Sequence, residues 1–165
     1  MRSTSLALGL TSVLFSGAIF GFFYAWVCST MWGLDAADPR VAIEAMQAMN
    51  ASVRNAVFFP AFFLTPVVLF AAVAVTRGRS RVCFAAGGVI YLLGGLILTM
   101  MVNVPMNEEL ARVTVPEDID AARAIWEGYS PRWQQFNVAR TIASGMALLL
   151  SAVGVWTLGR SHAAT

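Results

Sequence analysis

The 165-residue chain contains no lysine: its eleven cations are all arginine, they face nine acids, and only 12% of residues are charged. Soluble domains carry roughly 25%. Histidine occurs once, at His162, and cysteine twice, at Cys28 and Cys83. One histidine near the C-terminus and two cysteines in separate apolar segments do not supply the usual ligand sets of zinc, haem or di-iron centres. No metal site is expected, and the cysteines read as small buried hydrophobes. A net charge of +2, without a basic cluster interleaved with aromatics, argues against a nucleic-acid partner. A P-loop, a dinucleotide fingerprint and a Ser-His-Asp set are also missing.

What the chain has is apolar length. Hydrophobic residues make up 58% of it, more than a soluble domain of this size can bury. A helix needs roughly 20 apolar residues to cross the hydrocarbon core. Four segments meet that length, at about 5–31, 56–76, 83–103 and 137–158. The expectation is a single membrane domain over 1–165, an all-α four-transmembrane-helix bundle. The first apolar run follows Arg2 but is longer than a signal-peptide core of about 7–15 residues and ends in no A-x-A-like site. It reads as an uncleaved span.

Charge sets the expected orientation. Arg2, the "RGRSR" turn (Arg77, Arg79, Arg81) and Arg160 stand in regions without acids, and all nine acids fall in the other two loops. The positive-inside rule then puts both termini in the cytoplasm, in a bacterial inner membrane, with the loops at about 32–55 and 104–136 outside. Those loops are predicted to carry amphipathic helices. Asp38 and Pro39 suit the N-cap and first position of one over 39–55, with Ile43, Met46, Met49 or Asn50, and Val53 at helical spacing. The second loop is predicted to hold "NEELARV" and then "PEDIDAARAIWEGY", with Gly128 close behind. Within the spans, Gly17, Gly21, Gly87, Gly88, Gly94 and Gly95 suit close helix packing. Pro60 and Pro66 imply kinks that free backbone carbonyls.

Several polar residues at the outer ends of the spans need a reason. Arg140 falls about one turn inside span four, where an arginine costs roughly 2.5–3.5 kcal/mol at mid-span. It can snorkel to the interface, or it can point into a polar cavity. Trp133, Asn137, Arg140 and Ser144 share one helical face, which fits the cavity. Asn103 and Asn107 in "NVPMNEEL" are one turn apart if the helix continues past Pro105; each can instead be a helix cap. Asn50 and Asn55 are expected at the same depth. Trp26, Trp32, Trp126 and Trp133 suit an aromatic belt, and equally the walls of a flat ligand's pocket. Glu108 and Glu109 lie beside a span end, as a base with a raised pKa or as a solvated first turn.

Taken in order, "FFYAWVCSTMWGL", "AIEAMQAMNASVRN", "NVPMNEELA" and "WEGYSPRWQQFNVAR" resemble the anthrone oxygenase-like family, also termed DUF1772, over almost the whole chain. The most specific pieces are "NVPMNEEL" and the Trp126, Trp133, Asn137, Arg140 spacing. The resemblance implies oxidation of an anthrone to an anthraquinone by molecular oxygen, described for some fungal members without metal or flavin. On that analogy a planar phenolic substrate enters among Trp26, Trp32 and Trp133, with Asn50, Asn55 and Trp126 as further binding residues. Arg140, Asn137, Asn103 and Asn107 hold its anion, and Glu108 or Glu109 is the base. No cofactor is expected, and oxygen is the co-substrate. The alternatives are a non-catalytic lipid- or quinone-binding module and an assembly protein that makes homo-oligomers through its glycine faces. Expected partners are membrane lipid and a hydrophobic aromatic small molecule.

Overall fold

The structure, a computed structural model, describes residues 2–163, with side chains for 3–160; the side chains of Arg2 and His162 lie outside the described residues. Seven α-helices follow one another: α1 (Arg2–Ala25), α2 (Met31–Asp35), α3 (Pro39–Ser52), α4 (Phe58–Val75), α5 (Gly78–Ile90), α6 (Val104–Ala111) and α7 (Ile119–Ala163). Wider π turns join some of them, at Trp26–Thr30, Tyr91–Ile97 and Thr99–Asn103. No strand occurs among the described residues. Four helical stretches are long and apolar enough to cross a membrane: Ser3–Asp35, Phe58–Val75, Gly78–Ala111 and Ile119–Arg160. These are spans one to four. Span one packs on two, two on three, three on four and four on one, which closes a ring of antiparallel neighbours.

Two of the helices run further than the sequence suggests. Span four continues a helix that begins at Ile119, with Pro131 inside it. Pro131 leaves the carbonyl four residues back without its amide partner. That carbonyl belongs to Glu127, an exposed residue, so the helix carries on. Span three passes Pro105 in the same way. There the ring would press on the carbonyl of Met101, and the π turn Thr99–Asn103 is where the hydrogen-bond ladder changes register.

Pro66 lies inside α4 and removes the amide that would bond the Phe62 carbonyl. Tyr91, fully buried on the π turn of span three, donates its hydroxyl to that same carbonyl at 2.9 Å. The freed acceptor therefore becomes a tie between spans two and three. Removing the hydroxyl in Tyr91→Phe should leave it unsatisfied, at a cost of about 1–3 kcal/mol. Thermal unfolding in detergent would show this, and an unchanged midpoint would mean that water reaches the carbonyl.

The α4–α5 turn needs glycine at Gly78, whose φ is +59°. At the other end of the bundle, α3 and α6 form a cap. Asp38 accepts from the Arg40 amide at 2.9 Å, with Pro39 in the first helical position. The Arg40 side chain binds the same carboxylate and holds its pKa down to about 2. Gln47 of α3 donates to the Leu110 and Val113 carbonyls at 2.8 and 2.9 Å, satisfying the end of α6.

Two apolar clusters result. One lies among the spans, around Phe62, Leu69, Phe84 and Tyr91; the other lies under the cap, around Ile43, Met46, Leu110 and Trp126. Burial of a large apolar side chain from water contributes about 1.5–3 kcal/mol under the cap, whereas packing alone holds the spans. Cys28 is exposed and Cys83 half-buried, so neither is the fully buried residue expected.

Candidate functional site

A cavity of about 290 Å³ lies where the span cluster meets the cap. Its walls are apolar: Phe22, Phe23 and Trp26 from span one, Phe58, Phe59, Phe62 and Phe63 from α4, and Trp133 from span four. Its polar groups are few, namely Asn50, Arg54, Thr99, Asn107, Glu108 and Arg140.

Arg140 sits at the deep end, only 5% exposed, on the face it shares with buried Trp133, Asn137 and Ser144. The guanidinium does not snorkel. One terminal nitrogen donates to Asn137 Oδ1 at 2.8 Å and the other to Thr99 Oγ1 at 3.4 Å. The cation lies 4.5 Å from the Phe23 ring centre and 5.1 Å from that of Trp133. Such contacts contribute about 0.5–2 kcal/mol each, far less than a buried charge loses by leaving water. Among the described residues no carboxylate forms an ion pair with Arg140. Its Nε has no partner at all. The site therefore holds a fixed, incompletely compensated positive charge.

Asn137 and Asn107 are each oriented by their neighbours. Asn137 uses Oδ1 for Arg140 and donates Nδ2 to the Phe23 carbonyl at 3.1 Å, so it aims the guanidinium, and it does not itself line the cavity. Asn107 accepts on Oδ1 from Trp133 Nε1 and from the Tyr129 hydroxyl, both at 2.8 Å. With that oxygen occupied, its amide nitrogen is the remaining donor on the cavity wall. Asn50, 9% exposed, adds a second donor, because its Nδ2 is unpartnered. Asn103 is wholly buried and does not line the cavity. Its Nδ2 lies 3.5 Å from the Trp133 carbonyl and its Oδ1 is unpartnered. It makes no capping bond, and neither does Asn107.

The remaining candidates divide. Trp26 and Trp133 stand 5.1 Å apart, centre to centre, as two walls of the cavity. Trp126 is buried under the cap, where its Nε1 donates to Asp35 at 2.9 Å; Ser130 and Gln134 bind the same carboxylate. Trp32 is 66% exposed and lies outside the cavity. Asn55 orders the turn just before α4, accepting from the Val57 and Phe58 amides at 2.8 and 2.9 Å, and does not line this cavity. Glu108 reaches the cavity mouth, paired with Arg54 at 3.4 Å, whereas Glu109 is exposed and lines no cavity wall. Thr99, Tyr129 and Arg54 did not stand out in the sequence, and Phe23 stood out only as one of several aromatics on span one. Only the pairing of distant helices brings them to the site. Among the described residues no three His, Cys, Asp or Glu side chains gather into a metal-binding group.

A family model described as anthrone oxygenase matches residues 49–150, more than half of the chain. The match takes in Asn50, Asn107, Trp133, Asn137 and Arg140. No curated protein and no solved structure matches the chain. The protein is a helical membrane protein that belongs to the anthrone oxygenase family.

Proposed function

We propose, from that membership, that the chain is a membrane oxygenase that oxidises a planar, phenolic, anthrone- or quinol-like substrate with molecular oxygen. The observation that carries the proposal is Arg140: a buried cation in an aromatic cavity with an unpartnered Nε and no carboxylate. A ligand that brings a phenolate or enolate oxygen supplies the missing negative charge. Asn50 and Asn107 line the same space with carboxamides, and the Phe and Trp walls suit a flat ring system.

Such a substrate becomes reactive when it loses a carbon-bound proton. Among the described residues, the Glu108 carboxylate, half exposed and paired with Arg54, is the only carboxylate on the cavity wall. It is the proposed base, and Asn137 and Thr99 are positioning residues for Arg140. The resulting anion is delocalised onto the oxygen held by Arg140, where fixed donors stabilise it without reorganising. Oxygen then reacts at the ring carbon. For an anthrone the balance is one O₂ consumed, one oxygen atom gained as the new carbonyl, two hydrogens lost from carbon, and one water released. The arginines of the α4–α5 turn support an orientation with that turn in the cytoplasm and the cap outside, in a bacterial inner membrane.

A second reading, binding of a lipid or quinone without chemistry, is favoured by the engagement of Glu108 with Arg54. One experiment separates the two. Protein in lipid nanodiscs is given a hydroxylated anthrone under ¹⁸O₂. Oxygenation predicts quinone carrying one ¹⁸O, formed well above the spontaneous rate with one O₂ consumed per anthrone. Retention of the anthrone unchanged, at the spontaneous rate, would leave the binding module.

A further inference from the structure

We propose that the cavity has two doors. One is apolar and opens sideways between α4 and span three, toward a ligand dissolved in the bilayer. The other is polar, at the capped end, and is held shut by Arg54 and Glu108.

The apolar door rests on residues that both line the cavity and remain exposed. Phe59 and Phe63, one turn apart on α4, are each 40% exposed, and Met100 on the facing π turn is 45% exposed. All three are apolar side chains exposed on stretches long and apolar enough to cross the membrane, where lipid chains suit them better than water. A ligand entering here leads with its oxygen end toward Arg140 and leaves its apolar end among the phenylalanines.

The polar door rests on a shared wall. A second cleft, of about 390 Å³, lies on the capped surface and shares Asn50, Arg54, Asn107 and Glu108 with the cavity. The Arg54 Nη2 to Glu108 Oε1 contact is 3.4 Å, and the two side chains are 53% and 48% exposed. An exposed pair of this kind biases an open–closed equilibrium only about two- to fivefold. It is therefore a latch that opens often, suited to passing protons, water or a more polar product while slowing bulk access. The doors rest on the cavity's lining, its exposed apolar side chains and the Arg54–Glu108 pair, and not on the oxidation chemistry.

The test uses Thr99→Cys as a reporter, in a chain with Cys28→Ser and Cys83→Ser. Thr99 is 8% exposed and touches Arg140. In nanodiscs, where both aqueous faces are open to reagent, a lipid-soluble neutral maleimide and a small anionic methanethiosulfonate are compared. The maleimide should label Thr99→Cys whether or not the latch is intact. The anionic reagent should label slowly, and about two- to fivefold faster after Arg54→Gln or Glu108→Gln. High salt should accelerate it only while the pair is intact. Equal anionic rates in all three backgrounds would overturn the polar door. A maleimide that labels Met101→Cys, 73% exposed on span three, but never Thr99→Cys would overturn the apolar one. Labelling needs no turnover, so a failure here and a failure of the oxygenase assay are separate results.

Discussion

Arg140→Met should lower turnover of an anthrone at least 100-fold while leaving thermal stability unchanged or slightly higher. Loss of one fixed donor to a developing oxyanion costs about 10²–10³ in rate, and here a full charge is lost as well. Stability should respond differently. The guanidinium has no carboxylate partner, so its removal strands no opposite charge. Asn137 Oδ1 loses a donor, at about 1–3 kcal/mol, against which stands relief from burying an unpaired cation. Methionine also keeps most of the volume between the Phe23 and Trp133 rings. Arg140→Lys should recover little, because an ammonium cannot reach Asn137, Thr99 and a ligand oxygen with the geometry of a planar fork. Activity of Arg140→Met within a few-fold of the parent would remove Arg140 from the chemistry. A collapse of its stability would make Arg140 a structural residue.

The same residue shows what can be read from one dimension. Apolar runs follow directly from local composition, so the four spans were legible. The shared face of Trp133, Asn137, Arg140 and Ser144 was legible because helical spacing fixes it. What that face meets was not. Phe23 and Thr99 lie on other spans, and nothing in "FGFFYA" or "LILTMM" distinguishes the phenylalanine or threonine that touches a guanidinium. The π turns at Trp26–Thr30 and Thr99–Asn103 have no residue signature, yet they set where Trp26, Thr99 and Asn103 point. Trp126 and Trp133 lie on one helix, two turns apart, with the same ring nitrogen. One binds Asp35 and the other Asn107, a difference made entirely by neighbouring helices. The sequence left open whether the helix continues past Pro105. Pro105 and Pro131 each remove one hydrogen bond, and both helices absorb that loss and continue.

The second large effect concerns how closely spans three and four approach. A Cβ built on Gly94 would lie 2.7 Å from the Ala143 Cβ, well inside contact distance. Gly94 belongs to the π turn Tyr91–Ile97, and Ala143 is one turn beyond Arg140. Gly94→Ala must therefore wedge the two spans apart just beside the contact between Thr99 and Arg140, which is already 3.4 Å. Overpacking of this kind costs typically about 1–3 kcal/mol. The expected result is a lower unfolding midpoint together with reduced turnover, since Arg140 loses one of its two protein acceptors. Ala143→Gly should remove the clash from the other side. Alone it should destabilise modestly, by up to about 1 kcal/mol, through its effect on the helix. Combined with Gly94→Ala it should restore both the midpoint and the activity toward the parent. The double-mutant cycle should show a favourable coupling of about 1–2 kcal/mol, within the range seen for residues in contact. Strict additivity would mean that the spans part without strain. Recovery of stability without recovery of turnover would separate the packing role of this contact from its control of Arg140.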